Sequence, residues 1–207
     1  GGGGHAVALL LEQFLEHLTA VPVVLDEQDV ARLRRPAPVL GHAHLGGAEN
    51  PTAAALRQQF GNAVARVDVV WGETTVIVDA ARINDIVRWL HDDPSQRYDY
   101  LSDLTAVEFR DAEQPIEVVW HLRSIPHRRF LRLKALIPRG QPLEVPSIWD
   151  IHKGVDWMER ECYDMFGIRF IGHPDLRRIL MWEQYKEGFP LRKDFPLRGR
   201  FSRSEQL

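Results

Sequence analysis

The chain has 207 residues, 44% of them hydrophobic, and a formal net charge of −3. That length and apolar content support one globular domain with a core, plus extensions. A single cysteine, Cys162, excludes an intrachain disulfide, an iron–sulfur cluster held by this chain alone and an all-cysteine zinc site, and it fits a reducing compartment.

Charge is unevenly spread. From Arg169 to Leu207 there are nine Lys/Arg against five Asp/Glu, a net +4, which leaves −7 on the remainder. A basic tail on an acidic body suits nucleic acid, an acidic protein partner or plain solvation.

Residues 5–20 carry a helical pattern. The apolar run Ala6–Leu11 is too short to span a bilayer and is broken by Glu12 and Glu16. No basic residue precedes it, so it does not read as a signal peptide. An amphipathic, Arg-rich, acid-poor leader is also missing, which leans towards a bacterial chain. From Pro22 to Pro51 the periodicity fades into Pro, Gly and Ala, as in "RRPAPVLGHAHLGGAENP". Residues 1–54 are therefore expected to be a helix and linker, and residues 55–145 the body.

The body opens with a short helix at "TAAALRQQF". In "AVARVDVVW", Ala65, Val67, Val69 and Trp71 alternate at strand period, and "TTVIVD" is the return strand. Gly72-Glu73 is the expected two-residue turn, of type II′. Asp79 is placed to cap a helix in which Ile83, Ile86, Val87 and Leu90 share one face. Three strands are predicted next, at Leu101–Phe109, Ile116–Leu122 and Arg129–Ile137. The fold class is α+β: a largely antiparallel sheet with covering helices, followed by an extended irregular C-terminal segment, residues 146–207.

In that last third, Ser147 with Asp150 has the form of a capping box opening a short helix. Asp156 with Glu159 has the same form, opening a helix over about Trp157–Phe166 that Gly167 stops in a left-handed conformation. Met158, Glu161, Cys162 and Met165 fall on one face, which puts Glu161 on an apolar stripe. Arg160 and Asp164 are i, i+4 partners, and Arg169, Arg177 and Arg178 lie within reach of the carboxylates. One chemical reading makes Glu161 and Asp164 an acid/base pair with His173 as shuttle. No nucleophile or oxyanion motif accompanies it, and abundant arginine favours permanent salt bridges. Metal sites find little support: there is no Glu-x-x-His, His42 and His44 lie in the linker, and His121, His127 and His152 lack ligand spacing. Cys162 reads as a small buried hydrophobe. No glycine-rich nucleotide loop is present. Trp120, Trp149, Trp157, Phe166, Phe170, Trp182, Phe189 and Phe195, interleaved with arginine, suit a protein interface better than nucleic acid.

The stretch "ERECYDMFGIRFIGHPDLRRIL" resembles the signature of the 30-kilodalton (C-type) subunit family of respiratory complex I, the NADH:quinone oxidoreductase. Its elements are Glu159, Arg160, Glu161, Asp164, Met165, Phe166, His173 and Arg177. "GFPLRKDFPL" (Gly188–Leu197) resembles that family's C-terminal segment, and "YDYLSDLTAVEF" its strand entry. The resemblance covers roughly residues 55–198. It implies an interface role for those residues together with Arg178, Arg192, Lys193 and Asp194, and no catalytic or metal residue. It implies no cofactor on this chain, with FMN and iron–sulfur clusters on partner subunits. The implied partners are the large, D-type quinone-site subunit and the B-type terminal-cluster subunit, with no nucleic acid. The implied place is peripheral, on the cytoplasmic face of the bacterial inner membrane, reached only through the complex. The same module in a membrane-bound nickel–iron hydrogenase or a ferredoxin-linked complex is the alternative. A stand-alone acid/base enzyme is the third.

Overall fold

A computed structural model describes residues 49–110 and 115–196. The helix expected at residues 5–20, the linker as far as residue 48 and the last eleven residues lie outside the described residues, and the linker's last residue, Pro51, already belongs to a helix.

Helix α1 spans Pro51–Phe60. Asn50 caps it by accepting a 3.0 Å hydrogen bond from the Thr52 N–H, and Pro51 follows where a missing N–H is harmless. Strands β1 (Val64–Val70) and β2 (Glu73–Val78) form the expected hairpin. Its turn sits one residue earlier than expected. Trp71 and Gly72 are the loop, with φ of 51° and 81°, the two positive values a type I′ turn requires. Asp79 accepts from the Ala81 N–H at 3.0 Å and caps a single 3₁₀ turn, which feeds helix α2, Ile83–Asp92. Ile83, Ile86, Val87 and Leu90 are all fully buried, as their spacing predicts.

Strands β3 (Tyr100–Val107), β4 (Ile116–Ser124) and β5 (Arg129–Ile137) complete a sheet of order β1-β2-β5-β4-β3. Every neighbouring pair is antiparallel except β2 and β5, which run parallel. That parallel contact joins the hairpin to the three-strand meander. Along β5, Leu131, Leu133, Ala135 and Ile137 point into the core while Arg132 and Lys134 face outward. Trp120 on β4 is fully buried at the centre.

Helix α3 covers Val155–Phe166. The two expected capping boxes are not formed. Residues 149–151 make a turn, not a helix; the Ser147 hydroxyl accepts the Trp149 N–H at 3.1 Å and donates to Glu159, twelve residues on, at 2.6 Å. Gly154 is the N-cap of α3 and offers no side chain; Asp156 sits in the first turn. A small parallel pair, β6 (Glu144–Pro146) with β7 (Arg169–Ile171), flanks the helix and has no counterpart in the sequence pattern.

Gly167 ends α3 at φ 81°, as its position predicts. A Cβ there would lie 2.6 Å from the Phe189 ring. Gly167→Ala therefore meets two penalties, a left-handed backbone and an aromatic clash. We expect a loss of more than ~1 kcal/mol in thermal or urea unfolding. An unchanged melting temperature would show that Phe189 does not rest on this glycine.

Candidate functional site

Helix α3 buries its Val155, Glu159, Cys162 and Phe166 stripe, so the fully buried carboxylates are Glu159 and Asp164, both 0% exposed. Glu161, expected on the apolar stripe, is only half-buried. The expected stripe of Met158, Glu161, Cys162 and Met165 shares Cys162 with the buried one, and Met165 is buried beside it, which is why helical spacing alone selects the wrong glutamate. Burial, followed by the charge of Asp103, pushes the Glu161 carboxyl up to about 7. It makes no hydrogen bond or ion pair with the described residues. Cys162 is 2% exposed, and burial raises its thiol well above the ordinary value, which leaves it inert.

Asp164 gathers the chain beyond the helix. One oxygen meets the Arg178 guanidinium at 2.5 Å. The other accepts the N–H groups of Ile179, Leu180 and Met181 at 3.0, 2.8 and 2.8 Å. Arg178 in turn lies against the rings of Tyr185 and Phe189, at 5.3 and 5.6 Å from their centroids. Arg160 is not the partner of Asp164. It donates to the carbonyls of Arg177 and Arg178 at 3.2 and 3.1 Å, and stands 3.8 Å from Asp156. A carboxylate and a guanidinium one turn apart thus grip the donors and acceptors of the same loop.

Glu159 fastens the approach to the helix. It accepts from the Ser147 hydroxyl at 2.6 Å and from the Ile148 N–H at 3.0 Å. His173 presses in with a fully buried side chain. Its Nδ1 accepts from the Asp175 N–H at 3.1 Å, which assigns the ring proton to Nε2, 3.9 Å from Glu159 and beyond hydrogen-bonding range. Burial pushes the Glu159 carboxyl up to about 7, against the lowering effect of its two donors. A carboxyl raised in the folded state stabilises the fold below its ordinary value of 4.5, and that contribution is lost as pH rises through 7. Glu161 acts in the same direction. We expect urea midpoints of the wild type to fall between pH 5 and pH 8, and Glu159→Gln to flatten part of that fall. An identical pH profile in the variant would contradict the placement of Glu159.

The sequence does not single out a third buried carboxylate. Glu108, 4% exposed at the end of β3, pairs with Arg139 at 2.6 Å and stands 3.1 Å from Arg192 Nε. Its other oxygen accepts the Lys193 N–H at 2.6 Å. The one hint in the sequence is a glutamate between Val107 and Phe109. Lys193 contributes backbone; Lys193 and Asp194 are both exposed. Arg169 and Arg177 pair with Glu144 and Asp175 at the surface, at 2.9 and 2.7 Å. Met165 and Phe166 are buried and lend their carbonyls to Leu191 N–H and Arg192.

The irregular segment beyond α3 is thus held along this domain at three points. Its outer side exposes Ile171, Leu180 and Trp182, each about half accessible. A surface cavity of about 390 Å³ is lined by Glu108, Arg139, Arg192, Lys193 and Asp194, and neither it nor a second one of about 710 Å³ is lined by Glu159, Glu161, Asp164 or His173. Among the described residues no three His, Cys, Asp or Glu gather as a metal cluster, and no helix is long and apolar enough to cross a membrane.

Residues 76–201, more than half of the chain, match the family described as the 30 Kd subunit of respiratory-chain NADH dehydrogenase. The NADH-quinone oxidoreductase C-subunit 2 of Rhizobium etli (strain CIAT 652) is 42% identical over 146 residues, covering 70% of this chain and 76% of that protein. The NADH-quinone oxidoreductase C-subunit of Rhodopseudomonas palustris (strain BisB18) is 45% identical over 137 residues, covering 66% and 67%. Among solved structures, the trypsin-resistant fragment of Nqo5 matches with a TM-score of 0.51 at 21% identity, covering 61% of this chain and all of that one. At that identity the likeness speaks for the fold.

Proposed function

Because this chain belongs to the 30-kilodalton subunit family of respiratory-chain NADH dehydrogenase, we propose that it is a cofactor-free structural subunit of the hydrophilic arm of a membrane-attached NADH:quinone oxidoreductase. It braces the large quinone-site subunit and the terminal-cluster subunit while electrons pass through other chains, from NADH by FMN and iron–sulfur clusters to quinone. It sits at the cytoplasmic face of the bacterial inner membrane, reached through the complex.

One observation carries this reading. Asp164 and Glu108 bind the segment beyond α3, Glu159 binds the approach to that helix at Ser147 and Ile148, and of the three only Glu108 lines a surface cavity. That leaves an aromatic- and Arg-rich strip in a fixed shape, with Ile171, Leu180 and Trp182 directed outward. A preformed strip avoids much of the ordering cost that a disordered tail meets on binding. Its buried ion pairs set register more than they add affinity.

Purifying the tagged chain from membranes in mild detergent tests this. The flavin- and cluster-bearing subunits should co-purify, together with NADH:quinone reductase activity. Recovery as a lone monomer overturns the proposal. Recovery with a nickel-bearing subunit moves the module to a related complex.

A further inference from the structure

Among the described residues only three other than glycine adopt positive φ: Trp71 at 51°, Arg97 at 41° and Arg128 at 52°. The left-handed region is unfavourable for such side chains by roughly 1–2 kcal/mol each, and it persists only where surrounding structure imposes it. All three lie at one end of the sheet. Trp71 is in the β1–β2 turn, Arg97 precedes β3, and Arg128 is in the β4–β5 hairpin. The strand register places these connections together, through Tyr100 opposite Arg123, Arg123 opposite Phe130, and Thr75 opposite Arg132.

The end is tied firmly. His127 Nε2 meets the Pro94 carbonyl at 3.0 Å and Arg129 donates to the Ser95 carbonyl at 3.3 Å. The Ile125 N–H donates to Asp99 at 3.2 Å. Asn50 donates to the Phe130 carbonyl at 2.8 Å and to the Tyr98 hydroxyl at 3.0 Å. This braced end displays Trp71, Ile125 and Tyr100 at 66%, 61% and 51% exposure, among exposed Arg97, Arg123 and Arg128. Arg123 lies over the Phe130 ring at 5.2 Å. None of these three arginines forms an ion pair with a described residue. The acids nearby are engaged: Asp93 holds Ser95, and Asp99 holds Ile125.

We propose that this end of the sheet is a second docking surface, which takes an acidic, extended segment of a partner subunit. The inference rests on the reading of the chain as a subunit of a larger complex. Tryptophan, tyrosine and arginine are the residue types that dominate binding energy at protein interfaces. Three unpaired guanidiniums call for carboxylates, and Ile125 and Trp71 call for an apolar side chain between them. Crossing five strands at about 4.8 Å spacing spans roughly 19 Å, the length of about six extended residues. The net charge of the whole chain, −3, argues for a protein occupant over nucleic acid.

The test compares two double variants in the assembled complex, each purified through the tagged chain. Arg97→Gly/Arg128→Gly relieves both backbone conformations, so the isolated chain should melt at or above the wild-type temperature. Arg97→Glu/Arg128→Glu reverses the charge. Both should reduce recovery of partner subunits roughly tenfold, the reversal more than the glycine variant. A photo-crosslinker at position 128 should attach to an Asp/Glu-rich stretch of one partner. Full recovery with both variants overturns the proposal, as does a crosslink to nucleic acid or to a stretch without acids. If the wild-type chain recovers no oxidoreductase subunits, it is the underlying reading that fails.

Discussion

Asp164→Ala should destabilise the chain by about 3–5 kcal/mol, the usual penalty for breaking a buried ion pair from one side. The variant leaves Arg178, only 16% exposed at its side chain, without its carboxylate. It also removes the acceptor of three successive N–H groups, Ile179 to Met181. A small domain has about 5–15 kcal/mol in total, so the loss takes a large share of it. Hydrogen exchange at residues 179–181 should rise to the rate of an open loop, while β3, β4 and β5 stay protected. Asp164→Asn should fall between, since it keeps one acceptor and loses the charge. Urea unfolding of the three proteins checks the order. Equal midpoints for wild type and Asp164→Ala would mean that the loop is held by other contacts.

Glu108→Ala is the second large effect, expected at about 1.5–3 kcal/mol for hydrogen bonds to a charged group. The penalty is smaller because Arg139 and Arg192 remain 30% and 22% exposed at their side chains and can turn to water. What is lost is the far anchor of the segment, the Lys193 N–H. Cleavage by trypsin after Arg192 or Lys193 should quicken before any global unfolding is seen. An unchanged cleavage rate would remove Glu108 from the account.

Neither carboxylate's role is written in a local pattern, whereas much of the sheet is. Strand β5 is readable to the residue because its four inward apolar side chains alternate without a break. The β1–β2 turn slips by one because Trp71 is an unusual occupant of a positive-φ position, and Gly72 alone suggests a II′ turn. The parallel contact between β2 and β5 joins residues more than fifty apart, which no local period encodes. Ser147 matches a capping box, and its hydroxyl does accept the Trp149 N–H, but it also donates to Glu159 and only a turn follows. The choice between Glu159 and Glu161 turns on which of two overlapping stripes faces the core. The segment beyond Gly167 has no period at all. Its order comes from side chains binding backbone, a code that depends on contacts across the fold. The motif residues alone name no partners, and the structure supplies them: Arg178 for Asp164, the carbonyls of 177 and 178 for Arg160, and Ser147 for Glu159.

We propose that the carboxylates of α3, together with Glu108, hold residues 171–193 in shape so that their outer side can dock. The direct measurement is the yield of assembled oxidoreductase recovered through a tagged Leu180→Asp/Trp182→Ala chain, whose two replaced side chains are about half exposed. The Trp182 ring packs edge-on against Tyr185 at 4.8 Å, so the isolated variant should lose about 0.5–1.5 kcal/mol and stay folded, and it should recover no more than about a tenth of the partner subunits. Wild-type recovery of the active complex through that variant would contradict the account.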